Sequence, residues 1–530
     1  MQFSLGSLAR LARAGFVLAR AGVFRDLDPA ILPPAARLPL ALAKLIAATG
    51  RRSAKPEGGL KGGLANLPGA ISRLGPSYVK LGQFLATRPD VVGPAVVRQL
   101  ELLQDRMMPF PRAVAIHTVE AALAVPVDRL FASFGEAVAA ASIAQVHRAT
   151  IKEADGERAV AVKVLRPDIE RLFKRDLADM YFATRLAERL SGEARRLKLI
   201  EIVDTLARTV KMEMDFRLEA AAASEFAENA AKDPDFRVPS VDWDRTAKEV
   251  LTLEWIDGIP LSDIKALAAK GHDLKDLGRN VLQSFLRTAL RDGFFHADMH
   301  QGNLFVDVQG RLTAVDFGIM GRLGFKERRF LAEILYGFIK RDYRRVAEVH
   351  FEAGYVPAIH KVEDFAQAIR AIGEPIHART ADQISMAKLL TLLFEITGLF
   401  DMKTRIELVL LQKTMVVVEG VARQLDPKLN VWTTSEPVVG QWIEQNLGPA
   451  GKIQDAGRAV ATLGRFAGNL PEALLRAETM VKELATMTEQ GFALSDDTIR
   501  RIGEAQARGA RLGHLALWLL AILGLLLLMR

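Results

Sequence analysis

His296-Ala297-Asp298-Met299-His300-Gln301-Gly302-Asn303, with Asp316-Phe317-Gly318 beginning 13 positions after the asparagine, is the stretch that decides how this chain is read. Between the two motifs, short apolar runs at 303–307 and 312–316 flank Gln309-Gly310, a hairpin signal. An asparagine and an aspartate at these places offer the hard oxygen ligands that Mg2+ takes. Asp298 stands where an attacking hydroxyl or water could be oriented. Immediately upstream, Leu277, Val281, Phe285, Ala289 and Gly293 recur at i, i+4, so a buried helix is expected to run into Phe294. His296, Asp298 and His300, taken alone, also form an H-x-D-x-H run that could serve a metallohydrolase.

Two residues nearer the N-terminus complete the pattern. Lys163 sits in Val160-Ala161-Val162-Lys163-Val164, inside an alternating apolar strand, and by itself would be a surface-strand lysine. Glu219 lies on an expected helix, where a lone glutamate belongs to a solvated face. The fixed order of lysine, glutamate, aspartate–asparagine loop and second aspartate changes both readings. These are the parts that hold a nucleoside triphosphate for phosphoryl transfer, a reaction that asks the protein mainly for positioning and charge neutralisation. Lysine can grip the α- and β-phosphates, and glutamate can hold that lysine in place. ATP or ADP with Mg2+ are the expected cofactors.

Outward from these residues, 131–165 has strand character, with runs at 146–151 and 159–165 joined by a turn containing Asp155-Gly156. Residues 250–256 form another strand candidate, closed by Asp257-Gly258-Ile259-Pro260, and Ser262 is placed to cap the helix that follows. Residues 168–229 are charged and mostly helical, and everything after 320 reads as helix. Strands early and helices late predict an α+β chain with a small mixed lobe and a larger helical one. The expected divisions are basic and apolar N-terminal helices at 1–49, a linker at 50–63, a helical extension at 64–124, the small lobe with a helical insert at 125–256, the helical lobe at 257–440, a helical tail at 441–511 and a last apolar segment at 512–529.

Half of the 530 residues are hydrophobic and a quarter charged, which supplies a large core and excludes a disordered or collagen-like chain. Lys and Arg total 71 against 63 Asp and Glu, a net +8 too modest at this length to imply a nucleic-acid partner. The absence of cysteine excludes disulfides, thiolate metal sites and cysteine nucleophiles. A reducing compartment or the cytoplasmic side of a membrane follows from it. Residues 512–529 carry no formal charge, and as a helix of 18 residues would reach about 27 Å, near the lower limit for a bilayer core of about 30 Å. A C-terminal transmembrane helix is therefore expected. Arg500, Arg501, Arg508 and Arg511 precede it and only Arg530 follows, which puts the catalytic region on the cytoplasmic side of a bacterial-type inner membrane, held by a single-span anchor. The N-terminal stretch with Leu5, Leu8, Leu11, Phe16 and Leu18 among Arg10, Arg13 and Arg20 reads as a membrane-surface helix or as a surface helix of the globular part.

These motifs resemble protein-kinase-like folds, and specifically the UbiB family of atypical kinase-like proteins of ubiquinone biosynthesis. Leu74-Gly75-Pro76-Ser77-Tyr78-Val79-Lys80-Leu81-Gly82-Gln83 contains that family's Lys-x-Gly-Gln signature. Ala139-Ala140-Ala141-Ser142-Ile143-Ala144-Gln145-Val146-His147 matches its alanine-rich replacement for the kinase glycine-rich loop. Glu213-Met214-Asp215-Phe216, then Glu219-Ala220, matches its Glu-x-Asp helix, and the 296–303 loop its catalytic loop. The likeness covers about 75–318. It implies a bilobal protein-kinase-like fold with a helical N-terminal extension.

Residue by residue, the resemblance implies that Ala139, Ala140, Ala141, Ser142 and Ile143 cover the nucleotide phosphates, and that Lys163 contacts them and pairs with Glu219. Glu254 and Ile256 join the cofactor-binding set, Asn303 and Asp316 hold Mg2+, and Asp298 takes the catalytic-aspartate place. Lys80, with Gly82 and Gln83 beside it, is expected to pair with Glu213 or Asp215 and to hold its helix across the site where a kinase admits a peptide. Two departures stand out: Ala221-Ala222-Ala223 occupies a place where the family often has asparagine, and one short span stands where relatives can have two. Alanines in the loop add a methyl at each position and restrict φ, so the grip on nucleotide should differ from that of a glycine loop. Ala297 stands where many kinases carry arginine, which removes the usual partner of a phosphorylated activation loop. The implied function is that of an ATPase supporting ubiquinone biosynthesis, with membrane lipids, polyprenyl quinone precursors and other proteins of that biosynthesis as partners. A protein or small-molecule kinase, and a nucleotide-gated lipid-binding scaffold, are the alternatives.

Overall fold

Residues 5–25, 41–47, 66–377, 396–402 and 406–448 are described by the computed structural model, with breaks at 42, 87, 101, 104–106, 155 and 397. The chain divides into two units, Met1–Ile443 and Glu444–Arg530. The expected linker at 50–63 lies outside the described residues, as does nearly all of the expected tail.

Alternating side chains build the small lobe. Strands β1 (Ser133–Ala140), β2 (Ala144–Glu153) and β3 (Gly156–Leu165) pair antiparallel in sequence order. In β3, Val160, Val162 and Val164 point to one face, where Phe134, Ala149 and Ile151 join them under helix α4 (Arg112–Leu123), which contributes Ala115 and Val119. The opposite face carries Ala161, Lys163 and Leu165. Helices α5 (Ile169–Leu190), α6 (Leu199–Glu213) and α7 (Phe216–Ala230) cover part of it with Phe173, Val203, Leu206, Phe216 and Ala220. A sheet buried on both faces leaves few positions for a polar side chain, and Lys163 occupies one. Ala220 and Ala223 on α7 are fully buried, so alanine after Glu219 serves close packing.

Short strands then carry the chain into the larger lobe. After β4 (Phe236–Arg237), strand β5 (Val250–Glu254) adds to the small-lobe sheet beside β3, and β6 (Gly258–Pro260) leaves it. The helix at Ile264–Ala269 is capped by Asp263, which accepts from Ala266 N at 3.0 Å, and not by Ser262. Helix α8 (Leu274–Arg287) buries Leu277, Val281 and Phe285, continues through one π-helical turn, and stops at Gly293, whose φ of 67° suits glycine. Then come β7 (Phe294–His296), β8 (Leu304–Asp307), β9 (Leu312–Ala314) and β10 (Met320–Arg322). Strands β4, β9, β8 and β6 form one small sheet in that order, while β10 pairs with β7. The β10 strand falls where only helix was expected, because three residues are too few for alternation to register. Helices α9 (Phe325–Lys340) and α10 (Tyr343–Glu352) follow, and a helix at Ile406–Leu425 lies against α8.

The N-terminal helix α1 (Leu5–Arg20) docks on the globular part. Leu18 packs against the cluster of Leu67, Ala70, Ile71 and Val79 on helices α2 (Leu67–Leu74) and α3 (Pro76–Leu85), and Arg10 Nη2 donates to Asp179 Oδ1 on α5 at 2.8 Å. These contacts agree with its expected reading as a surface helix of the globular part.

Among the described residues no helix is long and apolar enough to cross a membrane. Against the expected C-terminal transmembrane helix, and the single-span anchor and inner-membrane localisation that depend on it, the described residues thus supply no spanning helix. The 512–529 segment lies outside the described residues. A charge-free run at the lower limit of spanning length suits burial as well as lipid, so composition alone could not carry that expectation.

Candidate active site

Strand register places Lys163 first. Ala139, Val146, Lys163 and Leu251 form one transverse row across β1, β2, β3 and β5, so all four side chains lie on the same face of the sheet. From that face Lys163 Nζ donates to Glu219 Oε1 at 2.8 Å and Oε2 at 3.0 Å, and to Asp316 Oδ1 at 3.2 Å. The ammonium lies 5.4 Å from the centroid of the Phe216 ring. Glu219 reaches it from the first turn of α7, whose N-cap Asp215 accepts from Arg217 N at 3.2 Å. Asp316 reaches it from a backbone with φ of 64°, a left-handed conformation in which Gly318 N donates to its Oδ1 at 3.3 Å. The three side chains are exposed by 17%, 6% and 48% for Lys163, Glu219 and Asp316. The cluster therefore opens to solvent on the Asp316 side.

Electrostatics follow from this geometry. Burial works against a charged Lys163, yet Asp316 and Glu219 together hold its pKa above the ordinary lysine value. Burial also opposes charge on Asp316, but attraction to the Lys163 ammonium and the bonds to Lys163 and Gly318 keep it well below the usual carboxylate range. For Glu219 burial wins: its carboxyl is pushed up to about 7 against the pull of Lys163. Two carboxylates around one ammonium divide the labour, the buried one bearing the desolvation and the open one bearing the charge.

The 296–303 loop is tied to the Asp316 strand through the imidazole of His296. Its Nδ1 accepts from Asp298 N at 3.1 Å, which leaves the proton on Nε2 to be donated to Val315 O at 3.3 Å. Burial holds this histidine below its ordinary pKa, in keeping with a neutral ring. Phe317 packs on the same imidazole at 5.5 Å between centroids. Asn303 Nδ2 donates to Asp298 O at 3.1 Å, and Val315 N donates to Asn303 O at 2.9 Å. Asn303 and Asp316 thus come from two segments cross-linked at the backbone. The metallohydrolase alternative loses its ligands here. Both nitrogens of His296 are engaged with backbone, His300 Nδ1 accepts from Gly302 N at 3.0 Å, and among the described residues no group of three or more His, Cys, Asp or Glu could hold a metal.

Other expected site residues fall in different places. Ala139 is exposed, Ala140 and Ala141 are half-buried, and Ser142 and Ile143 are buried, Ile143 within the core under α5 and α6. Glu254 turns away from the Lys163 cluster and is ion-paired with Arg237, with Ser240 N and Oγ each donating to it at 3.3 Å. Its carboxylate is engaged with its own neighbours, whatever its backbone contributes. Ile256 is half-buried beyond the end of β5. Lys80 chooses Glu213, at 2.7 Å with both side chains largely buried, while Asp215 is engaged by Arg217. Gly82 is buried where any side chain would collide with Leu103, so packing explains that glycine, and Gln83 beside it is half-buried. Two residues that sequence reasoning did not single out, Gln145 and Arg166, bond to the alanine-rich turn and to the segment before α4. Their signal was faint: a polar side chain within a buried strand, and a cation just past the end of β3.

A two-lobed unit in which a strand lysine meets a helix glutamate and a post-hairpin aspartate is an atypical kinase-like protein. An ABC1 atypical kinase-like domain matches residues 102–350, and a UbiB helical domain matches 369–430. The chain is 38% identical over 447 residues to "Probable protein kinase UbiB" of Marinobacter nauticus, covering 83% of this chain and 80% of that protein. It is 41% identical over 390 residues to the protein of the same name in Pseudomonas aeruginosa, covering 73% of each. A solved complex of Rv3197 with erythromycin from Mycobacterium tuberculosis is similar at 25% identity and a TM-score of 0.48, over 68% of this chain and 90% of that one. The chain belongs to the UbiB family.

Proposed function

We propose that this protein binds Mg2+ with ATP or ADP at the Lys163 cluster and hydrolyses ATP in support of ubiquinone biosynthesis. The observation that carries the reading is the ammonium of Lys163 held between a buried carboxylate and a half-exposed one. Glu219 fixes the cation where phosphate oxygens can reach it, and Asp316 keeps one side of the cluster open. The residues suit a magnesium ion. Asp316 presents an ionised carboxylate, and Asn303 uses its amide nitrogen on Asp298 O, which leaves its oxygen for a metal. Mg2+ keeps several waters and takes phosphate oxygens, so two protein ligands are enough. When bound it would neutralise charge on the phosphates. Asp298, on the same loop, orients the attacking water or hydroxyl.

Polyprenyl precursors of ubiquinone are the client class that the family's pathway suggests, and the energy of hydrolysis would serve to present them. The names of the relatives speak for a second reading, transfer of the phosphoryl group to a protein. Purified full-length chain decides between them. Mg2+ with ATP or ADP should raise its melting temperature, phosphate should be released from ATP, and release should rise with a phenolic lipid precursor. Robust labelling of added proteins instead would favour the kinase, and a melting temperature indifferent to Mg2+ and nucleotide would end both.

A further inference from the structure

The turn that joins β1 to β2 is bonded from outside the sheet by a segment more than thirty residues earlier in the chain. Met107 N donates to Ala140 O at 3.2 Å. Phe110 presents both backbone groups to the side-chain amide of Gln145: its N–H donates to Oε1 at 2.8 Å, and its carbonyl accepts from Nε2 at 3.1 Å. Between these points Arg166 Nη2 donates to Met108 O at 3.2 Å and to Ala141 O at 3.3 Å, one guanidinium edge bridging the segment and the turn. Arg166 also lies 5.3 Å from the centroid of the Phe110 ring, and its own N–H donates to Ile143 O at 2.7 Å.

Arg166 is half-buried, and burial holds its pKa below the ordinary value. Both hydrogen bonds of its guanidinium go to backbone oxygens. Gln145 is almost fully buried and is further fixed by His147, whose Nε2 lies 2.8 Å from Gln145 Nε2 and whose Nδ1 lies 2.9 Å from Gly135 O. A buried side-chain amide that satisfies a backbone N–H and C=O at once imitates a strand neighbour. Losing it would leave polar backbone groups without partners.

We propose that residues 107–110 are a strap that sets the position of the alanine-rich turn, with Gln145 and Arg166 as the positioning residues that fasten it. A glycine loop closes over phosphates through its own backbone freedom. This turn has no glycine between Gly135 and Gly156, so its place must be set by what surrounds it. Register puts Ala139 in the same row as Lys163, and the turn follows at once, so displacement of the turn moves the wall of the nucleotide site. The proposal rests on the reading of the cleft as a nucleotide site.

Full-length Gln145→Leu and Arg166→Gln test it beside Asp316→Asn, with amide hydrogen exchange and Mg2+–ADP titration as the two measurements. Each strap variant should speed exchange of the amides at 139–143 by about tenfold, shift the Kd for Mg2+–ADP at least fivefold, and move the KM for ATP more than kcat. Asp316→Asn should abolish nucleotide binding and leave exchange of the turn as it was. Faster exchange with unchanged Kd overturns the proposal and leaves the nucleotide reading standing; unchanged exchange in both strap variants overturns the strap itself. If the native chain binds no Mg2+–ADP, the nucleotide reading fails, and with it the claim on Kd. If Gln145→Leu does not fold, Arg166→Gln, at a half-buried position, carries the same measurements.

Discussion

Two hairpins frame the candidate site, and they contribute in opposite ways. The β8–β9 hairpin works through named side chains: Asn303 enters it, Asp316 leaves it, and Asp307 Oδ1 accepts from Gln309 N and Arg311 N at 2.9 Å to shape the turn around Gly310. The β1–β2 hairpin works through backbone, because alanine, serine and isoleucine at its tip carry no group for phosphate chemistry beyond one buried hydroxyl. The first is specified by its own residues. The second takes its position from Met107, Phe110, Gln145 and Arg166, which are scattered through sequence. Side-chain chemistry is thus a local property of this chain, whereas the geometry that confines it is bought from a distance.

The comparison can be broken from either side. The largest effect is expected from Phe317→Ala, because Phe317 is buried against Phe226 at 5.6 Å and against His296. Truncating it should cost about 3–5 kcal/mol in denaturant unfolding, and a loss well under 1 kcal/mol would mean that the hairpin is not anchored through that ring. Next comes Asp316→Asn, which should erase the stabilisation given by Mg2+ and nucleotide, about 2.7 kcal/mol at 100 times the Kd. A thermal shift identical to that of the native chain would remove Asp316 from the metal site.

Glu219→Gln sharpens the electrostatic half of the contrast. In the folded chain Glu219 keeps its proton up to about pH 7, against an ordinary value of 4.5. Its contribution to stability is therefore fully present below pH 4.5 and is lost as pH rises through about 7. Stability measured across that interval should fall with pH more steeply in the native chain than in Glu219→Gln; parallel curves would contradict the assignment. The smallest effect belongs to Ala140→Gly, in the backbone-driven hairpin. Glycine at the end of β1 should destabilise by about 0.5–1 kcal/mol and alter the ratio of Kd for ATP and ADP in binding titrations. An unchanged preference would show that the methyl groups of this turn do not shape the nucleotide site.

Much of the candidate site was legible because its parts announce themselves by residue type and short spacing. A lysine in a valine strand, Asp-Phe-Gly after an apolar run and Gln309-Gly310 between two such runs needed no partner to be noticed. The choice of Glu213 over Asp215 as partner of Lys80 was not legible. Asp215 is the N-cap of α7 and is occupied by Arg217, and only the completed helix shows it. The partners of the Glu254 carboxylate were not legible for a related reason: Arg237 and Ser240 reach it only once the chain through 238–249 brings them alongside β5. The H-x-D-x-H run looked like a metal site until His296 was seen to use both nitrogens on backbone. The expected membrane anchor rested on hydropathy alone, which reports composition, and composition is shared by a lipid span and a buried segment.

By itself, then, the amino-acid sequence determined which groups are present, the two hairpins that carry them and the UbiB kinship of the chain. Periodicity reaches only as far as neighbours two to four residues apart. The tertiary structure alone decided that Lys163 meets Glu219 across 56 residues and Asp316 across 153. It decided too that Gln145 meets Phe110 across 35. Such meetings depend on which apolar faces bury one another, and the burial that joins Lys163 to its carboxylates is also what moves the pKa of Glu219 toward neutrality.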